Sequence, residues 1–191
     1  MRLLLLSLVL FLTACASQPS NIDNACVIYD EKGGLFNNWY RYSKRVEREF
    51  GVPPHVLMAT IWKESAFQAR ARPPRKKYLG FIPGPRPSNA YGYPQALNST
   101  WGWYRKETGR SRAKRNKFKH AIHFVGWYHD QSHRRNNVAK TDTYNLYLNY
   151  YLGHGGFARG AAANNAFARD AARRTAQRAE LYRSQIARCR G

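Results

Sequence analysis

Glu64 is the residue whose type and position most clearly suggest chemistry. It lies near the end of a mostly apolar segment, residues 53–67, which opens with Pro53 and Pro54, as helices that begin at a proline do. At about 100° per residue, Leu57, Ile61 and Glu64 fall on one stripe of that helix. A carboxylate on a buried stripe loses hydration, and this loss raises its pKa. The pattern therefore predicts a general acid that keeps its proton near neutral pH.

The position of Glu64 also has a structural interpretation. A glutamate in the last turn of a helix can lie in solvent or pair with an arginine, and structural ion pairs also perturb carboxyl pKa values. The position alone does not decide between the two interpretations, so the decision rests on the other motifs.

The elements that must position Glu64 are helical by their periodicity. Gly51 ends the first helix, Asn98 or Ser99 caps a third, and Thr141 or Asp142 caps a fifth. No alternating run predicts a substantial sheet. We therefore expect an all-α fold whose helices cover residues 35–50, 53–67, 100–108, 113–135, 142–152 and 161–189, the last as two pieces.

One segment, residues 68–90, interrupts this helical pattern. It carries five of the nine prolines and six basic residues, and an apolar patch from Tyr78 to Pro83. A loop of this length is usually functional or disordered. We interpret it as a flap or binding loop beside the active site, with disorder as the alternative.

Three motifs follow one another in a consistent order. They are Glu64-Ser65, the stretch from Ala90 to Leu97 and the stretch from Tyr150 to Phe157. Together they resemble the lytic transglycosylases of the soluble-lytic-transglycosylase type, with goose-type lysozyme as a relative. The second stretch is similar to the family's Gly-Leu-Met-Gln element and the third to its Ala-Tyr-Asn-x-Gly region. The resemblance spans about residues 45–160 and implies a lysozyme-like helical domain.

The chain departs from the family pattern in three places. Tyr93 and Pro94 replace the leucine and methionine of the second motif, and Tyr151 replaces the asparagine of the third. Tyr144-Asn145 offers a competing alignment for that third motif. The interval from Glu64 to the second motif is also longer than usual, which makes residues 68–90 an insertion.

The resemblance implies a reaction that needs a single carboxylate, whereas ordinary glycosidases use two. Glu64 would protonate the oxygen between MurNAc and GlcNAc in peptidoglycan. The same carboxylate would then take the proton from the C6 hydroxyl as it attacks C1, giving a 1,6-anhydroMurNAc product. No water is consumed, and no metal or organic cofactor is expected.

The remaining site residues are also implied by the resemblance. Gln95, Tyr150 and the Gly92 backbone would orient the sugar, and Ser65 would hydrogen-bond near the acid. Tyr91 and Tyr93 could supply faces for sugar rings, as could Trp101 and Trp103, although aromatic residues at such spacing are more often core. The expected substrate-binding set is Ser65, Tyr91, Gly92, Tyr93, Gln95 and Tyr150, with Tyr144 as the alternative to Tyr150.

The N-terminus predicts export. The apolar run from Leu3 to Leu12 is too short to cross a bilayer, which needs about 20 helical residues, so it is typical of a signal peptide. Residues 12–15, Leu-Thr-Ala-Cys, resemble the lipobox of bacterial lipoproteins, which implies cleavage before Cys15 and its lipidation. Ala16, in place of an aspartate, favours the outer membrane by the Gram-negative sorting pattern. An ordinary signal peptide with a chance cysteine is the alternative.

These observations divide the chain into a signal peptide (residues 1–14), a flexible tether (15–25) and a transglycosylase domain (26–190). Two cysteines remain after cleavage, Cys26 and Cys189. Because exported proteins meet an oxidising compartment, we expect them to form a disulfide, with two free buried thiols as the alternative.

The formal net charge of +21 predicts attraction to polyanions. Nucleic acid is the default partner of a cytoplasmic protein with such a charge, but the export signal argues against it. We expect a peptidoglycan strand, whose carboxylates repeat along the chain, as the partner of a monomer on the periplasmic face of the membrane. A solvated basic surface without a specific partner is the alternative.

Four histidines within fourteen residues raise the question of a metal site. His129 and His133 are four apart, a spacing that can bind zinc, but no glutamate lies between them in a protease pattern, and His120 and His123 do not obviously share their face. We predict no metal. The alternatives to the lytic transglycosylase are a hydrolytic muramidase, a non-catalytic peptidoglycan-binding lipoprotein and a polyanion-binding module.

Overall fold

The structure, a computed structural model, describes residues 17–191, and over this range it is almost entirely helical. A two-stranded antiparallel hairpin within residues 68–90 pairs Lys77 with Pro83 and Tyr78 with Ile82. This architecture confirms the all-α prediction. The elements are α1 (Ala25–Glu31), α2 (Trp39–Phe50), α3 (Pro54–Ser65), β1 (Lys77–Tyr78), β2 (Ile82–Pro83), α4 (Asn98–Glu107), α5 (Phe118–Asn136), α6 (Thr143–Ala158) and α7 (Ala166–Arg190).

Several predicted helix boundaries are wrong for local reasons. Helix α2 begins four residues late because the side chain of Asn38 caps it by accepting from the Arg41 N–H at 2.8 Å. Helix α4 begins at Asn98 without a side-chain cap, because the Asn98 Oδ1 accepts from Arg115 instead. Helix α5 begins at Phe118, after a series of turns. Helix α7 is one continuous helix, which Asn165 caps.

The signal peptide (residues 1–14) and the lipidation site Cys15 lie outside the described residues and remain predictions, which the mass of the mature N-terminal peptide would test. The described part of the predicted tether is not free. The Gln18 side chain donates to the Ala66 carbonyl at 2.7 Å, and Tyr182 donates to the Ile22 carbonyl. Residues 25–31 form a further helix that the sequence analysis missed. Within residues 17–191, no helix is both long and apolar enough to cross a membrane.

Helix α3 forms the centre of the core. It is enclosed by α2, α5 and α7, so its residues from Val56 to Ile61 are buried on every side rather than along one stripe. Helix α5 approaches α2 closely at Gly126, where a Cβ atom would lie 2.2 Å from Val46 Cγ1. A glycine is therefore required for these two helices to pack around α3.

A disulfide between Cys26 and Cys189 joins α1 to the end of α7, with 6.1 Å between the Cα atoms. This confirms the predicted pairing. The same two helices are joined by Gln185, whose side-chain oxygen accepts from the Ala25 N–H at 2.8 Å. Because α7 packs along α3, the disulfide closes the chain around the helix that carries Glu64.

Replacing both cysteines, Cys26→Ser with Cys189→Ser, is expected to lower the free energy of unfolding by about 4–5 kcal/mol in the chain-entropy treatment of a loop this long. Denaturant unfolding under oxidising conditions measures the change. Cys15→Ser is the matched control and is expected to leave the unfolding midpoint unchanged. An unaltered midpoint in the double variant would contradict a structural role for the disulfide.

Candidate active site

Glu64 borders a cavity of about 490 Å³ between the end of α3 and the segments around it. Helices α5 and α6 form one wall, and the stretch from Ser88 to Thr100 forms the other. The complete lining consists of Glu64, Ser88, Ala90, Gln95, Ala96, Leu97, Thr100, Phe124, Tyr128, Tyr150, Tyr151, Leu152 and Gly153.

The backbone turns sharply directly after Glu64. Helix α3 ends at Ser65, and the next two residues, Ala66 and Phe67, both adopt left-handed backbone angles with φ of 48° and 61°. Such angles are costly for residues other than glycine and persist only where surrounding contacts impose them. The Phe67 side chain is fully buried against Trp39. This anchored turn fixes the end of α3 and hence the position of Glu64.

Burial raises the pKa of Glu64 to about 7. A hydrogen bond from Tyr147 and the nearby charge of Lys63 act in the opposite direction, but loss of hydration outweighs both. Within residues 17–191, no basic nitrogen lies within 4.0 Å of the Glu64 carboxylate. The geometry therefore does not support the interpretation of Glu64 as an arginine-paired structural residue.

Tyr147 contacts the Glu64 carboxylate directly, although no sequence motif indicated it. Its hydroxyl donates to Glu64 Oε1 at 2.8 Å, and its ring, on α6, is buried. Tyr147 lies three residues from both Tyr144 and Tyr150, so this spacing on the helix could have indicated that Tyr147 lies near the same site. Because a hydrogen bond to an ionised carboxylate favours the charged form, Tyr147 limits the rise of the Glu64 pKa.

Of the two aligned tyrosines, Tyr150 lies in the cavity wall. Its hydroxyl donates to the Pro94 carbonyl at 2.6 Å, and this bond ties α6 to the second motif. Burial and the neighbouring Glu64 hold the Tyr150 pKa well above its usual value. Tyr144 packs instead against the apolar cluster where α6 contacts α7. The cavity therefore favours the alignment through Tyr150.

The second motif forms a turn in which the Gly92 N–H and the Gln95 side-chain nitrogen hydrogen-bond to backbone carbonyls of the protein itself. Gly92 has φ of 74°, and a Cβ atom there would lie 2.5 Å from the Arg115 carbonyl oxygen. The Gly92 N–H donates to the Ala71 carbonyl, so the expected role of its backbone in sugar binding does not fit. The Gln95 side-chain nitrogen donates to the Ala71 and Gly92 carbonyls at 3.0 and 2.8 Å. This leaves the Gln95 amide oxygen at the cavity wall as an acceptor.

Three other expected contacts do not reach the cavity. Tyr93 is in the core, 2% exposed, with its ring edge-on to Trp39, because the Gly92 turn directs it inward. Tyr91 lies against the guanidinium groups of Arg72 and Arg115, at 4.5 and 5.3 Å. The Ser65 hydroxyl donates back to the Ile61 carbonyl in α3 rather than to the acid.

The two tryptophans weighed as sugar contacts are also structural. Trp101 is buried in the core, and Trp103 packs against Trp127 and the Arg135 guanidinium. Besides the predicted Tyr150, three aromatic residues that no sequence motif indicated line the cavity, Phe124, Tyr128 and Tyr151. They belong to α5 and α6 and come together only when those helices pack.

The histidines of α5 are engaged in separate contacts. His129 is fully buried with Nε2 at 2.9 Å from the Thr60 hydroxyl, and burial lowers its pKa to about 3, so it is neutral. His123 lies between Tyr104 and Glu49, and His133 contacts the Val138 carbonyl. Across the described range, no group of three potential metal ligands is present.

One known protein family covers nearly the whole chain. The family described as "Transglycosylase SLT domain" matches residues 3–189, and the chain belongs to that family. It is therefore a lytic transglycosylase that acts on peptidoglycan. No curated protein and no solved structure matches the chain.

The raised pKa of Glu64 makes stability depend on pH with a definite sign. Because the folded-state pKa of about 7 exceeds the ordinary value of 4.5, the protonated carboxyl is favoured in the native state. That contribution is complete below the ordinary value and is lost as pH rises through about 7. Glu64→Gln keeps a neutral acceptor for Tyr147 at every pH. Its free energy of unfolding, relative to wild type, is expected to rise by about 3 kcal/mol between about pH 4 and pH 8.

Urea unfolding of both proteins at a series of pH values measures this difference. Glu180→Gln, at an exposed position of α7, is the matched control and is expected to show no such trend. A difference between Glu64→Gln and wild type that stays constant with pH would contradict a carboxyl held protonated by burial.

Proposed function

We propose that Glu64 is both the acid and the base of a reaction that cleaves the MurNAc–GlcNAc bond of peptidoglycan and forms 1,6-anhydroMurNAc. The observation that carries this proposal is the composition of the cavity lining. Among its residues Glu64 is the sole carboxylate, and the pKa of Glu64 is raised to about 7. Hydrolytic glycosidases place a second carboxylate about 5–10 Å from the first to serve as nucleophile or base. A site with one carboxylate suits a substrate that supplies its own nucleophile.

The proton balance of the reaction closes on Glu64. The protonated carboxyl donates to the glycosidic oxygen as the bond from that oxygen to C1 of MurNAc breaks. The resulting carboxylate accepts the proton of the C6 hydroxyl as O6 bonds to C1. Glu64 ends protonated, and no water enters the products. A group that must give and then take a proton works best with a pKa near the working pH.

Tyr147 is the positioning residue in this scheme. Its hydrogen bond at 2.8 Å holds one carboxylate oxygen and leaves the other free to face the substrate. Because this bond is strongest when Glu64 is ionised, it also stabilises the state between the two proton transfers. Among the aromatic residues of the lining, Tyr151 is 45% exposed, so its ring offers a face against which a sugar can pack.

The rival functions differ in what the site must contain. A muramidase would need a second group to activate water, and the cavity lining includes no other carboxylate. A module that only binds peptidoglycan gains nothing from a partly buried carboxyl with a raised pKa, because such a group costs stability at neutral pH. The geometry therefore supports the non-hydrolytic reaction best.

Digestion of purified sacculi followed by mass spectrometry tests the proposed chemistry. We expect 1,6-anhydro products from the wild type and a loss of about 10²–10⁴-fold or more in rate for Glu64→Gln, because the amide cannot transfer the proton. Glu180→Gln is the control and should retain full activity. Products with reducing ends would identify a muramidase, and unchanged turnover by Glu64→Gln would remove Glu64 from the mechanism.

Tyr147→Phe is expected to change the pH profile as well as the rate. Activity requires protonated Glu64, so it declines as pH rises through about 7. Loss of the hydrogen bond destabilises the carboxylate, which raises the Glu64 pKa and moves this decline to higher pH, with a rate about 10-fold lower. Initial rates on sacculi across pH measure both effects. Tyr144→Phe serves as the control, and a Tyr147→Phe profile that overlies that of the wild type would refute the positioning role.

A further inference from the structure

The insertion presents an apolar tip to solvent. We call residues 70–86 the basic hairpin; it contains β1 and β2 and the turn between them. The side chains at the tip are Tyr78, Leu79, Phe81 and Ile82, which are 54%, 83%, 72% and 44% exposed. Four large apolar residues within five positions are unfavourable in water, and patches of this kind mark interaction surfaces.

The tip is held out by a defined turn. The Phe81 N–H donates to the Tyr78 carbonyl at 3.2 Å, and Leu79 and Gly80 have φ of 48° and 80°. These angles belong to a hairpin turn that favours asparagine or glycine at the first position. A leucine there is costly for the turn and exposed to water, so neither local structure nor the core accounts for it.

The stem below the tip is also built rather than loose. The Gly84 N–H donates to the Lys76 carbonyl at 2.7 Å, and Arg86 donates to the Pro73 carbonyl. A Cβ atom at residue 84 would lie only 2.7 Å from Cε2 of the Tyr78 ring. Gly84 is therefore needed for the ring to pack across the stem.

The stem carries a single sign of charge. The basic hairpin contains six basic residues and no acidic residue. Within residues 17–191, none of the six has a carboxylate oxygen within 4.0 Å. The basic residues are Arg70, Arg72, Arg75, Lys76, Lys77 and Arg86. An apolar tip above a cationic stem matches a surface that is apolar inside and anionic at its face.

We propose that the basic hairpin docks on the surface of an anionic phospholipid bilayer, with its tip among the upper acyl chains and its stem against the lipid phosphates. The carboxylates of a glycan strand could pair with the basic side chains of the stem, but such a strand would leave Leu79 and Ile82 in water. A phospholipid leaflet satisfies both parts at once, and a tyrosine at the level of the headgroups is typical of such contacts. This docking is independent of the reaction at Glu64.

Hydrogen exchange of the full chain on vesicles tests the docking. Two vesicle types are compared, phosphatidylcholine alone and phosphatidylcholine mixed with phosphatidylglycerol. Phosphatidylcholine vesicles that carry lipopolysaccharide or membrane proteins are the further comparisons, and the N-terminal segment is the same in all of them. We expect amides 79–82 to exchange about tenfold more slowly on the phosphatidylglycerol vesicles, and the protection to weaken as salt is added. Exchange in α5 should not differ between the two.

Matched variants separate the apolar and charged contributions. Leu79→Asn with Phe81→Ser removes the apolar tip while placing at residue 79 a side chain that the turn favours, and it should abolish the protection. Arg75→Gln with Lys76→Gln and Lys77→Gln should lower the protection by about tenfold or more. Leu35→Asn with Phe36→Ser alters a second exposed apolar pair, 77% and 90% exposed, and should leave the protection unchanged.

Four outcomes would overturn the proposal. Equal exchange of amides 79–82 on both vesicle types would exclude anionic lipid as the binding partner. Full protection in the Leu79→Asn, Phe81→Ser variant would exclude a contribution of the apolar tip to docking. Protection that appears only with lipopolysaccharide would assign the surface to that glycolipid. Protection that requires membrane proteins in the vesicles would assign it to a protein partner.

Discussion

The site depends on one constraint, the loss of hydration of a carboxyl group at the end of a buried helix. Helix α3 is enclosed by α2, α5 and α7, and two residues with left-handed backbone angles end it directly after Ser65. Glu64 therefore stays at the cavity wall, where it is only partly exposed. Its proton is retained because ionisation there costs more than the Tyr147 hydrogen bond returns. Three features hold Glu64 where ionisation is costly. They are the packing around α3, the disulfide and the turn after the helix.

Periodicity predicted the helices well because each amphipathic face reports burial directly, but their ends depend on competition for side chains. Asn98 had the right type for a cap, yet its oxygen accepts from Arg115, a residue in a distant turn. Asn38 does cap α2, and the apolar pair before it, Leu35 and Phe36, is left in solvent. Helix α7 contains no glycine or proline, so nothing in the sequence required the break that was expected. Local residue types thus indicate which caps are available, and tertiary contacts decide which are used.

The acid could be predicted from the sequence, whereas most of its surroundings could not. Glu64 stood out because a charge interrupted an apolar pattern, which is a local signal. Tyr147 contacts it across 83 residues, and only the packing of α6 against the end of α3 brings the two together. Tyr93 was assigned to the sugar for its neighbours in the motif, but the direction of its side chain follows from the positive φ of Gly92. Motifs located the right segments, and backbone geometry decided which side chains face the cavity.

The insertion is joined to the site more firmly than a mobile flap would be. The Ala71 carbonyl, at the start of the basic hairpin, accepts from both the Gly92 N–H and the Gln95 side chain. At its other end the chain runs directly into the cavity wall at Ser88 and Ala90. The hairpin and the second motif therefore share one hydrogen-bonded base, which ties the start of the insertion to the segment that forms the cavity wall.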